Sequence, residues 1–257
     1  MPSERVVVVV VAEQHRGFWA RELTDVPPAN IVVQPRNRGT AAGVLLPLLS
    51  IYLRRDPMAR FLVLPSDHYV ADEAELKGAL VDAIRNTQPD DRRVLLLGMT
   101  PSGFDPEYGW MLPALADGRG PRAICRFVEK PDRETAEDLM RRGALLNAFI
   151  FVAPAKALLL LFERTHPRML GMLSRCVREG MERARLERLY EALPTADFSR
   201  DVLQPSTRWL SVTAVPDCGW SDLGTPARIQ LYLSGLGRRP DGRFGAERSR
   251  SAEAEAC

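Results

Sequence analysis

The chain has 257 residues, of which 46% are hydrophobic and 26% are charged, and its formal net charge is +2. This is the composition of a globular domain, and so small a net charge argues against a nucleic-acid partner or an anionic membrane surface. Cys125, Cys176, Cys218 and Cys257 lack the spacing of a metal site or a disulfide framework, which favours a reduced cytoplasmic protein. No stretch has the roughly 18 consecutive apolar residues of a membrane span.

The first half of the chain alternates strand-like and helix-like segments. Apolar runs predict buried strands at residues 6–11, 31–33, 61–64 and 94–99. Segments with helical spacing lie between them, at residues 15–23, 44–53 and 73–84. Such alternation predicts a mostly parallel sheet with helices on both faces.

The second half is less regular but contains the same kinds of segment. Strands are predicted at residues 124–128, 147–152 and 209–215, and helices at 133–142, 156–165, 169–188 and 226–233. Residues 237–257 are mainly Gly, Arg, Ser, Glu and Ala, a composition typical of a disordered tail. We therefore predict one domain over residues 1–236, followed by the tail.

A polar turn, Pro65-Ser66-Asp67-His68, directly follows the strand predicted at 61–64. Open α/β sheets bind their ligands outside the carboxyl ends of the strands, which makes Asp67 a candidate ligand of a metal or phosphate site. The alternative is an ordinary turn or helix-capping aspartate.

Similar polar turns follow other predicted strands. They contribute Glu129, Lys130, Asn147 and Asp222, and an exposed Tyr108-Gly109 pair follows the loop at residues 101–106. Two carboxylates on separate loops can hold Mg²⁺ together with substrate phosphates, while a lysine can neutralise a phosphate as a point charge. A glutamate and an asparagine can bind sugar hydroxyls, so the set suits a phosphorylated sugar.

Each of these residues also has a purely structural interpretation. Tyr108 and Gly109 can form a simple turn, and Glu129 and Lys130 a solvated pair. Asn147 can cap a backbone group, and Asp222 can cap the helix that begins near residue 226.

A basic turn at residues 36–43 leads from the second predicted strand into a helix, with Thr40 as its predicted N-cap. The free N–H groups of a helix N-terminus can bind an anion. The alternative is an ordinary strand-to-helix turn with solvated arginines.

Six segments occur in the order of a known family. They are Gln34-Pro-x-x-Arg38-x-Thr40-Ala41, Leu64-Pro-Ser-Asp-His68, Tyr108-Gly109-Trp110, Phe127-Val-Glu-Lys-Pro131, Asn147-x-Phe-Ile150 and Gly219-Trp-Ser-Asp-Leu-Gly224. Over about residues 5–235 the chain thereby resembles the sugar-1-phosphate nucleotidyltransferases, in particular the mannose-1-phosphate guanylyltransferases. The resemblance implies a three-layer α/β/α, Rossmann-like fold with a mixed, mostly parallel sheet.

The resemblance also implies roles for single residues. Asp67 and Asp222 would hold Mg²⁺ or another divalent cation, and Lys130 would contact the sugar phosphate. The sugar-binding residues would be Tyr108, Gly109, Glu129 and Asn147, and the nucleotide-binding residues would be Gln34, Arg38 and Thr40. No metal role falls to His15, His68 or His166, because these histidines form no cluster.

The implied reaction joins GTP and mannose 1-phosphate into GDP-mannose and releases pyrophosphate, with no nucleic acid or membrane involved. Two alternatives stay open: another nucleoside triphosphate and hexose 1-phosphate, or a non-catalytic protein that binds sugar nucleotides. The resemblance leaves the oligomeric state open, a homo-oligomer included.

The chain departs from the family in three places. Gly39 stands where the family usually has Asn, and Leu146-Asn147-Ala148 stands where it has Trp-Asn-Ser. The family's first strand and its Gly-x-Gly-x-Arg loop have no counterpart, and residues 6–11 match its second strand. We therefore expect a slot beside residues 6–11, low stability and low activity for the chain by itself.

Overall fold

The strands and helices of the chain were assigned from a computed structural model, which describes residues 7–115 and 120–233. The strands are β1 Val9–Ala12, β2 Ile31–Gln34, β3 Arg60–Val63, β4 Val94–Met99, β5 Gly109–Pro113, β6 Arg122–Glu129, β7 Leu145–Pro154 and β8 Leu210–Ala214. The helices are α1 Arg16–Glu22, α2 Gly39–Arg54, α3 Glu73–Arg85, α4 Arg133–Arg141, α5 Ala155–Thr165, α6 Pro167–Arg178, α7 Arg183–Ala192 and α8 Pro226–Leu233. A π-helical turn, Phe198–Leu203, and a 3₁₀ turn, Gln204–Trp209, lie between α7 and β8.

The predicted tail, residues 237–257, lies outside the described residues. Within the described ranges, no helix combines the length and the apolar character needed to cross a bilayer.

The described strands form a six-stranded sheet and a separate two-stranded one. The order in the larger sheet is β3-β7-β4-β8-β6-β5, with a further pairing between β7 and β5, while β1 and β2 pair parallel to each other. The mixed α/β fold is confirmed, but in the larger sheet only β4 and β8 pair in parallel among these strands. Antiparallel pairing dominates because β7 and β6 run opposite to the strands on either side of them.

The larger sheet is covered on both faces. Along β4, Val94 and Leu96 belong to one apolar cluster and Leu95 and Leu97 to another, because successive side chains of a strand point to opposite faces. Residues of α2, α5, α6 and α7 complete the first cluster, and residues of α3 and α4 complete the second. The predicted three-layer arrangement follows from this alternation.

One predicted helix is two. Residues 169–188 divide into α6 and α7, because the backbone of Gly180 and Met181 turns left-handed, with φ of 98° and 57°. A right-handed helix cannot continue through these values, and the first of them suits glycine.

The strands predicted at 6–11 and 61–64 are not buried as expected. Val7 is 74% exposed and Leu64 is 48% exposed, and Val10 and Leu62 are also exposed. In the described part of the chain, β1 pairs only with β2, and β3 pairs only with β7. A strand with one neighbour leaves an open edge, so its apolar side chains are only partly covered. The expected slot beside residues 6–11 stays a prediction.

The π-helical turn is anchored by an aromatic cluster. The fully buried Phe198 stacks on Phe151, with ring centroids 5.3 Å apart, and contacts Phe149 and Phe162, both at 5.8 Å. Since aromatic side chains bury large areas, this contact fixes the position of the segment that follows α7.

We expect Phe198→Ala to lower the free energy of unfolding by about 3–5 kcal/mol, because it leaves a cavity in a packed core. Phe18→Ala is the matched control, since Phe18 is 80% exposed and its loss should cost less than about 0.5 kcal/mol. Urea unfolding of both variants measures the difference. Equal stabilities would show that the aromatic cluster does not anchor the turn.

Candidate functional site

Two of the predicted polar turns are joined by backbone hydrogen bonds. The N–H of Tyr69 donates to the carbonyl of Ser221 at 2.8 Å, and the N–H of Ser221 donates back at 2.9 Å. Asp67 lies two residues before this bridge and Asp222 directly after it. The structure therefore brings the two predicted metal-binding loops side by side.

His68 lies between these loops and takes part in a structural contact. Its Nδ1 accepts a hydrogen bond from Nε1 of Trp220 at 3.0 Å, and the two rings meet edge to face. Burial lowers the pKa of His68, against the opposing charges of Asp67 and Asp222. The imidazole is therefore held neutral and its Nδ1 is occupied.

Asp222 is surrounded by hydrogen-bond donors. Nη1 of Arg228 lies 2.7 Å and 2.8 Å from its two oxygens, and Oδ1 also accepts from the Tyr108 hydroxyl at 3.0 Å and from the Gly224 N–H at 3.0 Å. Burial acts to raise the pKa of Asp222, but these donors outweigh it and the pKa is lowered. Asp222 does not cap α8, because Oγ1 of Thr225 accepts the Arg228 N–H.

The carboxylates of Asp67 and Asp222 are the kind of oxygen ligand that hard divalent cations prefer. Asp67 is exposed, and its carboxylate accepts no hydrogen bond from the residues that the structure describes. Across 7–115 and 120–233, no group of three or more His, Cys, Asp or Glu could hold a metal. Proteins commonly bind Mg²⁺ through one or two carboxylates together with phosphate oxygens of the substrate. Asp67 and Asp222 could therefore supply all the protein ligands that such an ion needs. Asp222 already carries a cation, Arg228.

A row of three predicted residues crosses neighbouring strands. Gly109 on β5 pairs with Glu129 on β6 and, on its other side, with Asn147 on β7. A Cβ atom at position 109 would lie 2.4 Å from Oε2 of Glu129 and 3.3 Å from Cβ of Asn147. Only glycine leaves room for the Glu129 carboxyl at this point.

Glu129 carries the most unusual group of the row. Its Oε2 is buried and has no hydrogen-bond partner among the described residues, and its backbone N–H donates to Oε1 of Gln204 at 2.7 Å. Burial and then the charge of Asp197 raise the pKa of Glu129 to about 7. Near neutral pH the carboxyl can therefore either donate or accept a hydrogen bond with a ligand.

Asn147 is held by the protein on both sides of its amide. Nδ2 donates to Oγ of Ser199 at 3.0 Å, and Oδ1 accepts the Phe149 N–H at 3.1 Å. The backbone-capping interpretation of Asn147 is thus confirmed, and Phe149, two residues further on, has a left-handed backbone, with φ of 57°.

Lys130 lies at the rim of the row. Its Nζ forms an exposed ion pair with Oε2 of Glu107 at 2.8 Å, and its backbone N–H donates to the carbonyl of Tyr108 at 3.2 Å. The hydrogen bond to Glu107 raises the pKa of Lys130. Exposed pairs of this kind contribute little to stability, so the ammonium can exchange partners at low cost.

Tyr108 connects the row with the two acidic loops. It precedes Gly109 in the chain, and its hydroxyl reaches Asp222. Burial, together with the charge of Asp222, raises the pKa of Tyr108 above its ordinary range, so the hydroxyl remains a donor.

The predicted nucleotide-binding residues Gln34 and Arg38 contact the end of α7. Arg38 donates from Nε to the carbonyl of Tyr190 at 2.6 Å and from Nη2 to that of Glu191 at 3.0 Å. Oε1 of Gln34 accepts the Tyr190 hydroxyl at 3.4 Å. Arg38 thereby satisfies late carbonyls of a helix.

Thr40 is not the N-cap of α2, because the helix begins at Gly39 and Thr40 already lies in its first turn. Its Oγ1 accepts the Phe198 N–H at 2.7 Å and donates to Oδ2 of Asp197 at 3.2 Å. The hydroxyl is used between elements that are distant in the chain, which local capping rules do not cover.

Several residues that contact the site were not predicted from the sequence. They are Asp105, Asp197, Ser199, Gln204 and Arg228. Asp197 alone had a usable signal, since an aspartate before a helical turn is a typical N-cap and its side chain accepts the Arg200 N–H. The others act through contacts with residues far away in the sequence.

The family model described as nucleotidyl transferase matches residues 3–231. The chain belongs to the nucleotidyl transferase family. It is 28% identical over 227 residues to xanthan biosynthesis protein XanB of Xanthomonas campestris pv. campestris, an alignment that covers 85% of this chain and 47% of XanB. It is 27% identical over 236 residues to mannose-1-phosphate guanylyltransferase 2 of Escherichia coli O157:H7, covering 85% of this chain and 48% of that protein.

Solved structures of similar fold agree with this membership. The crystal structure of mannose-1-phosphate geranyltransferase from Thermus thermophilus superposes with a TM-score of 0.75 at 25% identity, covering 88% of this chain and 64% of that one. This nucleotidyl transferase chain spans about half the length of the curated relatives it matches.

We expect the contribution of Glu129 to stability to fall as the pH rises from about 5 to 7, because Glu129 titrates near 7 when folded and near 4.5 when unfolded. In that interval the folded chain holds a proton that the unfolded chain has lost. Between pH 5 and 8 the melting temperature of the wild type should fall relative to that of Glu129→Gln, because the amide has no proton to lose in this interval. Glu107→Gln, at an exposed carboxylate, should follow the wild-type profile. Parallel profiles for wild type and Glu129→Gln would contradict the shifted pKa.

Proposed function

We propose that the chain transfers a guanylyl group from GTP to mannose 1-phosphate. A phosphate oxygen of the sugar phosphate forms a bond to the α-phosphorus of GTP, the bond from that phosphorus to the bridging oxygen breaks, and pyrophosphate leaves with the bonding electrons. Family membership supports the reaction class, and the names of the relatives support the choice of guanylyl and mannose. The observation that carries the proposal is the row Glu129, Gly109 and Asn147 beside two joined acidic loops.

The row is suited to a sugar. The buried, unpartnered Oε2 of Glu129 has an unmet hydrogen-bonding capacity, which costs free energy until a ligand hydroxyl satisfies it. Gly109 keeps the backbone open next to it, and Ser199 holds the Asn147 amide in place. These groups would bind hydroxyls of the hexose.

The charges around the row are suited to phosphates. Lys130 would leave Glu107 and neutralise the sugar phosphate. Asp67 and Asp222 would hold a divalent cation, Mg²⁺ by preference, which supplies positive charge to the phosphates of the nucleotide. Phosphoryl-transfer chemistry of this type needs positioning and charge neutralisation more than acid–base groups.

In this proposal Gln34, Arg38 and Thr40 belong to the nucleotide end of the site. Their side chains are bonded to Tyr190, Glu191 and Asp197, so they would shape the turn that faces the base and ribose. Base selectivity would then depend on the shape of this turn as much as on direct contacts.

A substrate panel tests the proposal on the 257-residue chain. Four nucleoside triphosphates are crossed with mannose, glucose and galactose 1-phosphates, and released pyrophosphate is measured. We expect the highest turnover with GTP and mannose 1-phosphate. Faster turnover with UTP or dTTP and glucose 1-phosphate would reassign the substrates. Binding of GDP-mannose without turnover of any pair would make the protein a sugar-nucleotide binder.

We expect Asp67→Asn and Asp222→Asn each to lower turnover by on the order of 10²–10³-fold, because each removes a carboxylate that would hold the cation, and the cation would neutralise the transferring phosphate. Turnover against Mg²⁺ concentration should shift to higher concentration in both variants. Asp90→Asn is the control, since Asp90 is exposed and distant in the chain from both loops. Unchanged metal dependence in both variants would refute the assignment.

A further inference from the structure

Arg228 on α8 stands out because one side chain joins three parts of the site. Nη1 bonds both oxygens of Asp222, and Nε and Nη2 bond Oδ2 of Asp105 at 3.2 Å and 2.5 Å. Its Cζ lies 4.3 Å from the centre of the Tyr108 ring. Only 12% of the Arg228 side chain is exposed, so the contact is built into the fold.

From this contact we propose that Arg228 is an internal counter-cation that latches α8 onto Asp222, and that a divalent cation at Asp67 and Asp222 displaces it. The inference rests on the proposed function, which assigns these two carboxylates to a divalent cation. A guanidinium in contact with both Asp222 oxygens occupies the positions that a metal ion needs, and two cations at one carboxylate repel each other. Occupancy by one therefore excludes the other.

Asp105 lowers the free-energy cost of the exchange. When Arg228 leaves Asp222, it keeps its two bonds to Asp105, so no buried charge is left without a partner. Asp222 and Asp105 have 23% and 29% of their side chains exposed, which gives water access during the exchange. In this proposal the Asp222 carboxylate can therefore pair with either of two cations, Arg228 or the divalent ion.

Release of Arg228 from Asp222 would also affect the row of Gly109, Glu129 and Asn147. Tyr108 contacts Asp222 through its hydroxyl and Arg228 through its ring, and Gly109 follows it directly on β5. Exchange of the cation at Asp222 would therefore change the contacts of the residue next to the row. In this way the identity of the cation at Asp222 would influence the geometry of the row that is proposed to bind the sugar.

The test uses Mn²⁺ alone as the probe and measures its binding by electron paramagnetic resonance. We expect Arg228→Met to bind Mn²⁺ at least about tenfold more tightly than the wild type, which corresponds to about 1.4 kcal/mol. The gain should vanish in the double variant Arg228→Met, Asp222→Asn. Arg183→Met is the control for the loss of one positive charge, because Arg183 forms an exposed pair with Glu187. Arg228→Lys keeps the charge without the planar fork and should fall between wild type and Arg228→Met.

Amide hydrogen exchange of residues 226–233 supplies a second measurement. Exchange in the wild type should rise on addition of Mn²⁺, whereas Arg228→Met should exchange fast with or without the ion. Equal Mn²⁺ affinity in wild type, Arg228→Met and Arg228→Lys would overturn the latch. If Asp67→Asn still abolished binding in that case, the proposed metal site would stand. Absence of Mn²⁺ binding in every variant would overturn both the latch and the metal assignment.

Discussion

The site depends on the register in which β5 pairs with β6 and β7 at once. Gly109 lies opposite Glu129 on one side and Asn147 on the other, so a single backbone position sets the distance between two polar side chains. A shift by one residue would turn every side chain of β5 to the other face of the sheet. The buried Trp110 and Met111, which belong to opposite apolar clusters, prevent such a shift, because both would lose their packing.

The segment between α7 and β8 holds this row in place through hydrogen bonds. Ser199 and Gln204 lie on consecutive irregular turns, and each bonds one member of the row. Thr40 at the start of α2 bonds the same segment through the Phe198 N–H. Residues assigned to the sugar and to the nucleotide are therefore coupled through one short piece of chain, anchored in the core by Phe198.

Near the two acidic loops, part of the negative charge of the aspartates is neutralised by a positive charge of the protein itself. Asp105 and Asp222 share Arg228, while Asp67 stays exposed and unpaired among the described residues. Glu129, by contrast, is kept partly protonated by burial. The site thus holds one carboxyl that can act as a neutral hydrogen-bonding group and others that can act as charges, and environment alone makes the difference.

Much of the fold was predictable from the sequence because it depends on local pattern. The apolar run of β4 and the helical spacing of α3 were both assigned correctly. The residue types of the site were also legible, since polar groups after apolar runs mark strand ends. Asp67 follows β3 and Glu129 ends β6, whereas Asn147 lies near the start of β7.

Other features were decided only by tertiary structure. The exposure of β1 and β3 depends on which strands lie beside them, and the antiparallel course of β7 depends on pairing across the sheet. Nothing in the sequence distinguishes Arg228 from the other arginines, and only folding places it between Asp105 and Asp222. The sequence alone therefore determined which chemical groups are present and in what local structure. The tertiary structure decided which of them are already paired, because pairing depends on contacts between residues as distant in the chain as Arg228 and Asp105, which are 123 positions apart.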